Sequence, residues 1–180
     1  MLSMRPRCWI AEEALADLWA EASRWRFRET GGALLGWRDG RDAVIARVLG
    51  PGLNAKHGFF SFEPDSEWQV EEGRRIYRES NRCVAYIGDW HTHPFASPRP
   101  SWTDRKAAKQ IAEDPDFRAP EPLSLIVGRS WRSVGRSSRS GDRHRDVALD
   151  SQVVYVWRDD ELDPLDIALY NVNRDLKPSS

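Results

Sequence analysis

Cysteine is nearly missing from this chain: Cys8 and Cys83 are the only two in 180 residues. They make no Cys-x-x-Cys pair, no thiolate zinc site and no disulfide framework, which fits free thiols in a reducing compartment. A long hydrophobic run is missing as well. No stretch approaches the ~20 apolar residues that span a bilayer, and the segment MLSMRPRCWIAEEALADLWA lacks the apolar core and small-residue cleavage site of an export signal. Charge of one sign is also lacking, since 27 Lys and Arg against 28 Asp and Glu leave a formal net charge of −1. That balance removes the usual footprint of nucleic-acid or membrane-surface binding. The reading is a soluble, cytoplasmic protein that engages neither nucleic acid nor membrane.

What is present is an ordinary globular mixture, 40% apolar and 31% charged, expected to fold as one domain over residues 1–180. Nine tryptophans suggest a core or a groove built around large rings. Ala11, Ala14, Leu15, Leu18, Trp19 and Ala22 recur at helical spacing and predict an amphipathic helix. Two apolar runs flanking Arg38-Asp39-Gly40 predict a hairpin, roughly Ala33 to Trp37 and Ala43 to Leu49. FFSF reads as a short strand, and Ser66 with Gln69 as a capping box opening a helix to about Ser80. CVAYIG, LSLIVG and VVYVW read as buried strands, with Cys83 packed inside, and DIALYNV as a last strand-like piece. Residues 130–147, rich in Ser, Gly and Arg, read as a flexible basic loop. Strands and helices interleave, so the class is mixed α and β.

The chemistry concentrates in GDWHTHPFASPRPSWTD. Side chains alternate along a strand, so Asp89, His91 and His93 face one side and Trp90 and Thr92 the other. Two imidazoles on one side can hold one borderline-soft cation. Ser101-x-x-Asp104 is on its own an ordinary helix start, with Ser101 as N-cap. Asp104 nevertheless shares the inward stripe of the following helix with Ala107, Ala108, Ile111 and Ala112, where a bare carboxylate is costly without a partner. His91, His93 and Asp104 together are the three-ligand set that catalytic zinc sites use, with one position left for water. Other His-x-His proteins do not fit. Amidohydrolase barrels need about 250 residues, zinc nucleobase deaminases need His-x-Glu and paired cysteines, and the His-Glu-x-x-His helix of zincins is absent.

His-x-His-Pro, six residues, then Ser-x-x-Asp resembles the JAMM signature of the JAB/MPN metallopeptidases. ETGGALLGW resembles the upstream element in which that family carries its catalytic glutamate, and GPGLNAKHGFFSFEPD resembles its short prokaryotic branch. The resemblance implies an α/β (α+β) MPN fold, a curved mixed sheet flanked by helices with cytidine-deaminase-like layering. It implies one Zn²⁺ on His91, His93 and Asp104, with Glu29 as general base and acid and Ser101 as a donor to the oxyanion. The implied activity is hydrolysis after the C-terminal tail of a ubiquitin-like protein, in precursor maturation or deconjugation. Implied partners are that modifier, its conjugate and an activating or conjugating enzyme from the same operon, including anti-phage operons of the CBASS type. Two alternatives stay open: a non-catalytic MPN scaffold, and a metallohydrolase of another amide such as a sulfur-carrier conjugate.

Smaller readings complete the expectation. Trp90 reads as core, Trp102 as core-remote or groove-lining, and Asp89 as a satisfied acid or a brace for a ligand imidazole. His57 reads as a loop-bracing histidine, His144 as solvated, and Cys8 carries no signal.

Overall fold

The computed structural model describes residues 6–59, 61–128 and 151–171; the expected basic loop at 130–147 lies outside them. Strand β1 (Arg7–Ala11) leads into α1 (Glu12–Arg24), then the hairpin β2 (Gly31–Asp39) and β3 (Asp42–Val48). A two-stranded ribbon, β4 (Lys56–His57) and β5 (Phe62–Glu63), precedes α2 (Ser66–Glu79). Next come β6 (Ala85–Thr92), α3 (Trp102–Glu113), β7 (Leu123–Gly128), β8 (Ser151–Arg158) and β9 (Glu161–Tyr170). Among the described residues no helix is long and apolar enough to cross a membrane.

The main sheet runs β1-β3-β2-β6-β7-β8-β9 and curves far enough to close, because β9 also pairs in parallel with β1. Besides that pair, β1–β3 and β6–β7 are parallel, and the other neighbours are antiparallel. β1 was invisible in the sequence, where its five residues precede a strong helical pattern. Its partners lie far along the chain, in β3 and β9, and Cys8 turns out to be a fully buried core residue.

The barrel is filled by Ile10, Leu34, Ile45, Leu125, Val154 and Val156, with Ala14, Leu18 and Ala22 of α1 packed onto the same cluster. Trp90 sits among them, 1% exposed, and its indole N–H donates to Leu49 O at 2.8 Å. Truncating a buried Trp of this kind costs about 3–5 kcal/mol. β7 is buried along its whole length because α3 covers its other side, where Ala108 packs on Ile126, Tyr155 and Trp157.

Gly88 governs the geometry of β6. Its φ is +149°, and a Cβ there would meet Leu123 O at 2.1 Å. Registration with β2 slips beside it, so Ile87 and Trp90 share the barrel face while Tyr86 and Asp89 share the other. Downstream of that slip the strict alternation expected for Asp89 to His93 holds.

Three local expectations need correction. The cap of α2 is Asp65, whose carboxylate accepts from Trp68 N at 3.2 Å, while Gln69 donates to Gly50 O; Ser66 is already inside the helix. Cys83 is exposed, because the chain is still turning through Asn81 and Arg82, both at positive φ, and β6 begins at Ala85. Ala107 is exposed, leaving Ala108, Ile111 and Ala112 as the inward side of α3. The hairpin, α1, α3, β7 and β8 form where expected, and β9 begins earlier, at Glu161, across a turn at Asp159 and Asp160.

Candidate metal centre

Three elements deliver the cluster: the end of β6, the first turn of α3 and the entry to β2. His91 Nε2 and His93 Nε2 stand 3.1 Å apart. Asp104 Oδ1 is 3.0 Å from His91 Nε2, and Asp104 Oδ2 is 3.5 Å from His93 Nε2. These residues are the one group of His, Cys, Asp and Glu side chains, among the described residues, arranged to hold a metal ion.

His93 and Asp104 are each held by a separate device. His93 N donates to Val127 O at 2.7 Å, fastening the residue after β6 to β7. His93 Nδ1 lies 3.3 Å from Ser97 O and must carry the proton to bond a carbonyl, so the neutral ring presents only a lone pair at Nε2. Tyr155 donates to Pro98 O and anchors the proline-rich loop between His93 and α3. At α3, Ser101 Oγ accepts from Asp104 N at 3.2 Å, and the Asp104 carboxylate accepts in turn from Ser101 N. The cap reading of Ser-x-x-Asp holds, and the carboxylate that closes the capping box also faces two imidazoles.

The donor set fits a cation. Two imidazole lone pairs and a carboxylate converge, an arrangement that repels itself unless a proton or metal lies among them. Zinc bonds of about 2.0–2.2 Å at tetrahedral angles put ligand atoms about 3.3–3.5 Å apart, close to the separations of 3.0 to 3.5 Å here. Burial alone would raise the Asp104 carboxyl, but hydrogen bonds with His91 and His93 outweigh it and hold it far below the usual carboxylate range. Burial likewise works against a charged His93, and Asp104 and the Ser97 carbonyl overcome it, raising that imidazole.

Glu29 lies just before β2 and lines the same cleft as His91, His93 and Asp104. The cleft, of about 480 Å³, is also lined by Ser101, Thr103, Pro94, Ala96, Phe59 and Phe95. Burial, the dominant influence, raises the Glu29 carboxyl against the opposing pull of His91 and His93. The double glycine after it explains the approach. A Cβ on Gly31 would meet Trp90 O at 2.4 Å and one on Gly32 would meet Leu49 O at 2.0 Å, so only glycine lets β2 press this close to β6 and its neighbour. Thr30 N then donates to Thr92 Oγ1 and Thr92 N to Thr30 O, tying the glutamate's strand to the histidines' strand.

The other candidates separate cleanly. Asp89 is half-buried and accepts from Tyr86 Oη at 2.9 Å; burial pushes it up to about 6, against the Tyr86 bond and His91. It is a satisfied acid. Trp90 is core, and Trp102, 74% exposed beneath Lys106, does not line the cleft. His57 braces a loop, as expected, and its target is Glu29 itself. Phe59 and Phe95 were not singled out in the sequence, where Phe59 belongs to the FFSF stretch read as a strand and Phe95 to the proline-rich loop after His93.

The family described as prokaryotic homologs of the JAB domain matches residues 11–140. A Sinorhizobium fredii protein named Probable metalloprotease y4qB is 45% identical over 121 residues, covering 66% of this chain and 74% of that protein. An Escherichia coli protein named CD-NTase/cGAS isopeptidase is 31% identical over 113 residues, covering 62% and 69%. The solution structure of protein DSY2949 from Desulfitobacterium hafniense superposes with a TM-score of 0.62 at 20% identity, over 91% of this chain and 93% of that one, which is a likeness of fold. With the matched region spanning most of the chain and the His-His-Asp cluster inside it, this protein belongs to the prokaryotic JAB/MPN family.

Proposed function

We propose that this protein is a zinc-dependent metallopeptidase that hydrolyses the peptide or isopeptide bond after the C-terminal tail of a ubiquitin-like protein. The observation that carries the reading is the convergence of His91, His93 and Asp104 beside Glu29 in one open cleft. Zinc held by the three ligands supplies a Lewis acid for the scissile carbonyl and lowers the pKa of water from 15.7 to about 7. Glu29 takes the proton of the attacking water and returns it to the leaving amine. Its raised pKa suits that exchange, because a base tuned toward neutrality both accepts and releases a proton readily. Ser101 Oγ accepts from Asp104 N, so its hydroxyl proton is available to the oxyanion that forms as water adds.

Substrate and partners follow from the relatives. Those named isopeptidases carry CD-NTase/cGAS in their name, so an isopeptide conjugate of that enzyme class is the first substrate to offer, with a ubiquitin-like modifier and its activating or conjugating enzyme as partners. An extended tail fits the cleft by lying along an adjacent strand edge, between Phe59 and Phe95. The test is to measure zinc in the purified protein and cleavage of a ubiquitin-like protein fused through its tail. Metal-dependent release of the tail supports the reading. A protein that takes up no zinc points to the scaffold alternative, and one that cleaves only small amides points to another amide substrate.

A further inference from the structure

The backbone of Glu29 is gripped from a direction that its own strand does not require. His57 Nδ1 lies 3.0 Å from Glu29 O, and because a carbonyl can only accept, Nδ1 carries the proton. On the other side of the same residue, Glu29 N donates to Gly58 O at 3.0 Å. Two successive residues, His57 at the end of β4 and Gly58 just beyond it, thus hold both the backbone acceptor and the backbone donor of Glu29. The imidazole is fixed in turn. It stacks on Trp25 with centroids 3.6 Å apart and planes within 9°, and Phe62 of β5 meets it at 5.4 Å. Arg28 donates to His57 O at 3.0 Å, closing the loop of contacts.

We infer that His57 is a positioning residue for the proposed general base: it fixes the Glu29 main chain so that the carboxylate points into the cleft. The inference rests on the role proposed above for Glu29. Thr92 holds the neighbouring Thr30 and Gly58 O takes the Glu29 N–H, while the Glu29 carbonyl, which precedes β2, is held by this histidine. The same ribbon places Phe59, which lines the cleft, two residues beyond His57. Substrate contact at that ribbon and alignment of the base therefore share one short piece of chain.

Two substitutions separate alignment from packing. His57→Phe keeps a ring to stack on Trp25 and removes the donor; His57→Asn removes the ring and offers an amide N–H where Nδ1 was. With a ubiquitin-like tail fusion as substrate, His57→Phe is expected to keep its zinc and its KM and to lose about 10-fold to 10²-fold in kcat, the scale of a displacement near 1 Å at a reacting group. His57→Asn is expected to recover most of that loss. Parental kcat in His57→Phe, or equal slowness in both variants, overturns the inference. Should the parental protein cleave no fusion, the functional reading is at fault and amide hydrogen exchange at Glu29 decides the positioning claim by itself. Protection in the parental and His57→Asn proteins with loss in His57→Phe supports it, and equal exchange in all three overturns it.

Discussion

Asp65 at the start of α2 and Asp104 at the start of α3 are both acids that accept main-chain hydrogen bonds in a first helical turn. Asp65 directs its whole carboxylate at backbone and amide donors: Trp68 N, Asn54 N and Asn54 Nδ2. It is partly exposed, and its cap closes the loop that leads out of the β4–β5 ribbon. Asp104 gives the Ser101 N–H part of one oxygen and turns the rest toward two imidazoles in a mostly buried setting. Both motifs read alike along the chain. The difference comes from what stands opposite: among the described residues no ionisable side chain pairs with Asp65, whereas the end of β6 brings His91 and His93 to Asp104. A helix cap becomes a candidate ligand when a strand end is aimed at it.

The largest expected break in that contrast is Asp104→Asn. The amide keeps an acceptor for Ser101 N, so α3 still starts in place, but it is a poor ligand for a divalent cation. Metal content should fall to background, activity should be lost, and the gain in Tm that the parental protein draws from added zinc should vanish. A fully metalated, active Asp104→Asn protein would remove Asp104 from the ligand set. Glu29→Ala comes next. It should keep its zinc and lose about 10²–10⁴-fold in kcat, the usual contribution of an acid–base group; a parental rate would mean the base has been assigned wrongly. Ser101→Ala affects both functions of the α3 start. Loss of an oxyanion donor costs about 10²-fold in kcat, and loss of the cap costs about 1 kcal/mol of stability by thermal or urea unfolding. A stability loss with no change in rate would reduce Ser101 to a cap.

Much of this contrast was legible before any coordinates. His91, His93, Ser101 and Asp104 lie within fourteen residues, and a strand followed by a helix start brings such a local pattern together without help from distant chain. Glu29 was legible only through family resemblance. It is 62 residues from His91, and nothing in composition or spacing distinguishes it from the other acids. The Gly31-Gly32 pair is the physical trace of its role, since close approach to β6 excludes any side chain there. What stayed hidden was non-local. β1 depends on partners in β3 and β9, closure of the sheet depends on β1, and the role of His57 depends on a carbonyl 28 residues away. Cys83 was misplaced for the opposite reason: an apolar run was read as strand from its first residue, while positive φ at Asn81 and Arg82 keeps the chain in a turn until Val84.

The smallest effect belongs to Asp65→Ala, and it tests whether the two helix starts are independent. Hydrogen bonds from Asn54 N and Trp68 N hold the Asp65 carboxyl below its ordinary range. A depressed carboxyl stabilises the fold above its unfolded value, and that contribution disappears as pH falls through the folded one. Asp65→Ala should therefore lower Tm by about 2–4 °C near neutrality, the scale of one lost cap in a chain of this size, and should narrow the gap to the parental protein in acid. Zinc content and kcat should not change, because Asp65 touches neither the cleft nor its ligands. A fall in kcat comparable to that of His57→Phe would show that the cap of α2 reaches the base through the β4–β5 ribbon. The boundary between a structural acid and a catalytic one would then lie in the connecting loop, not at the helix start.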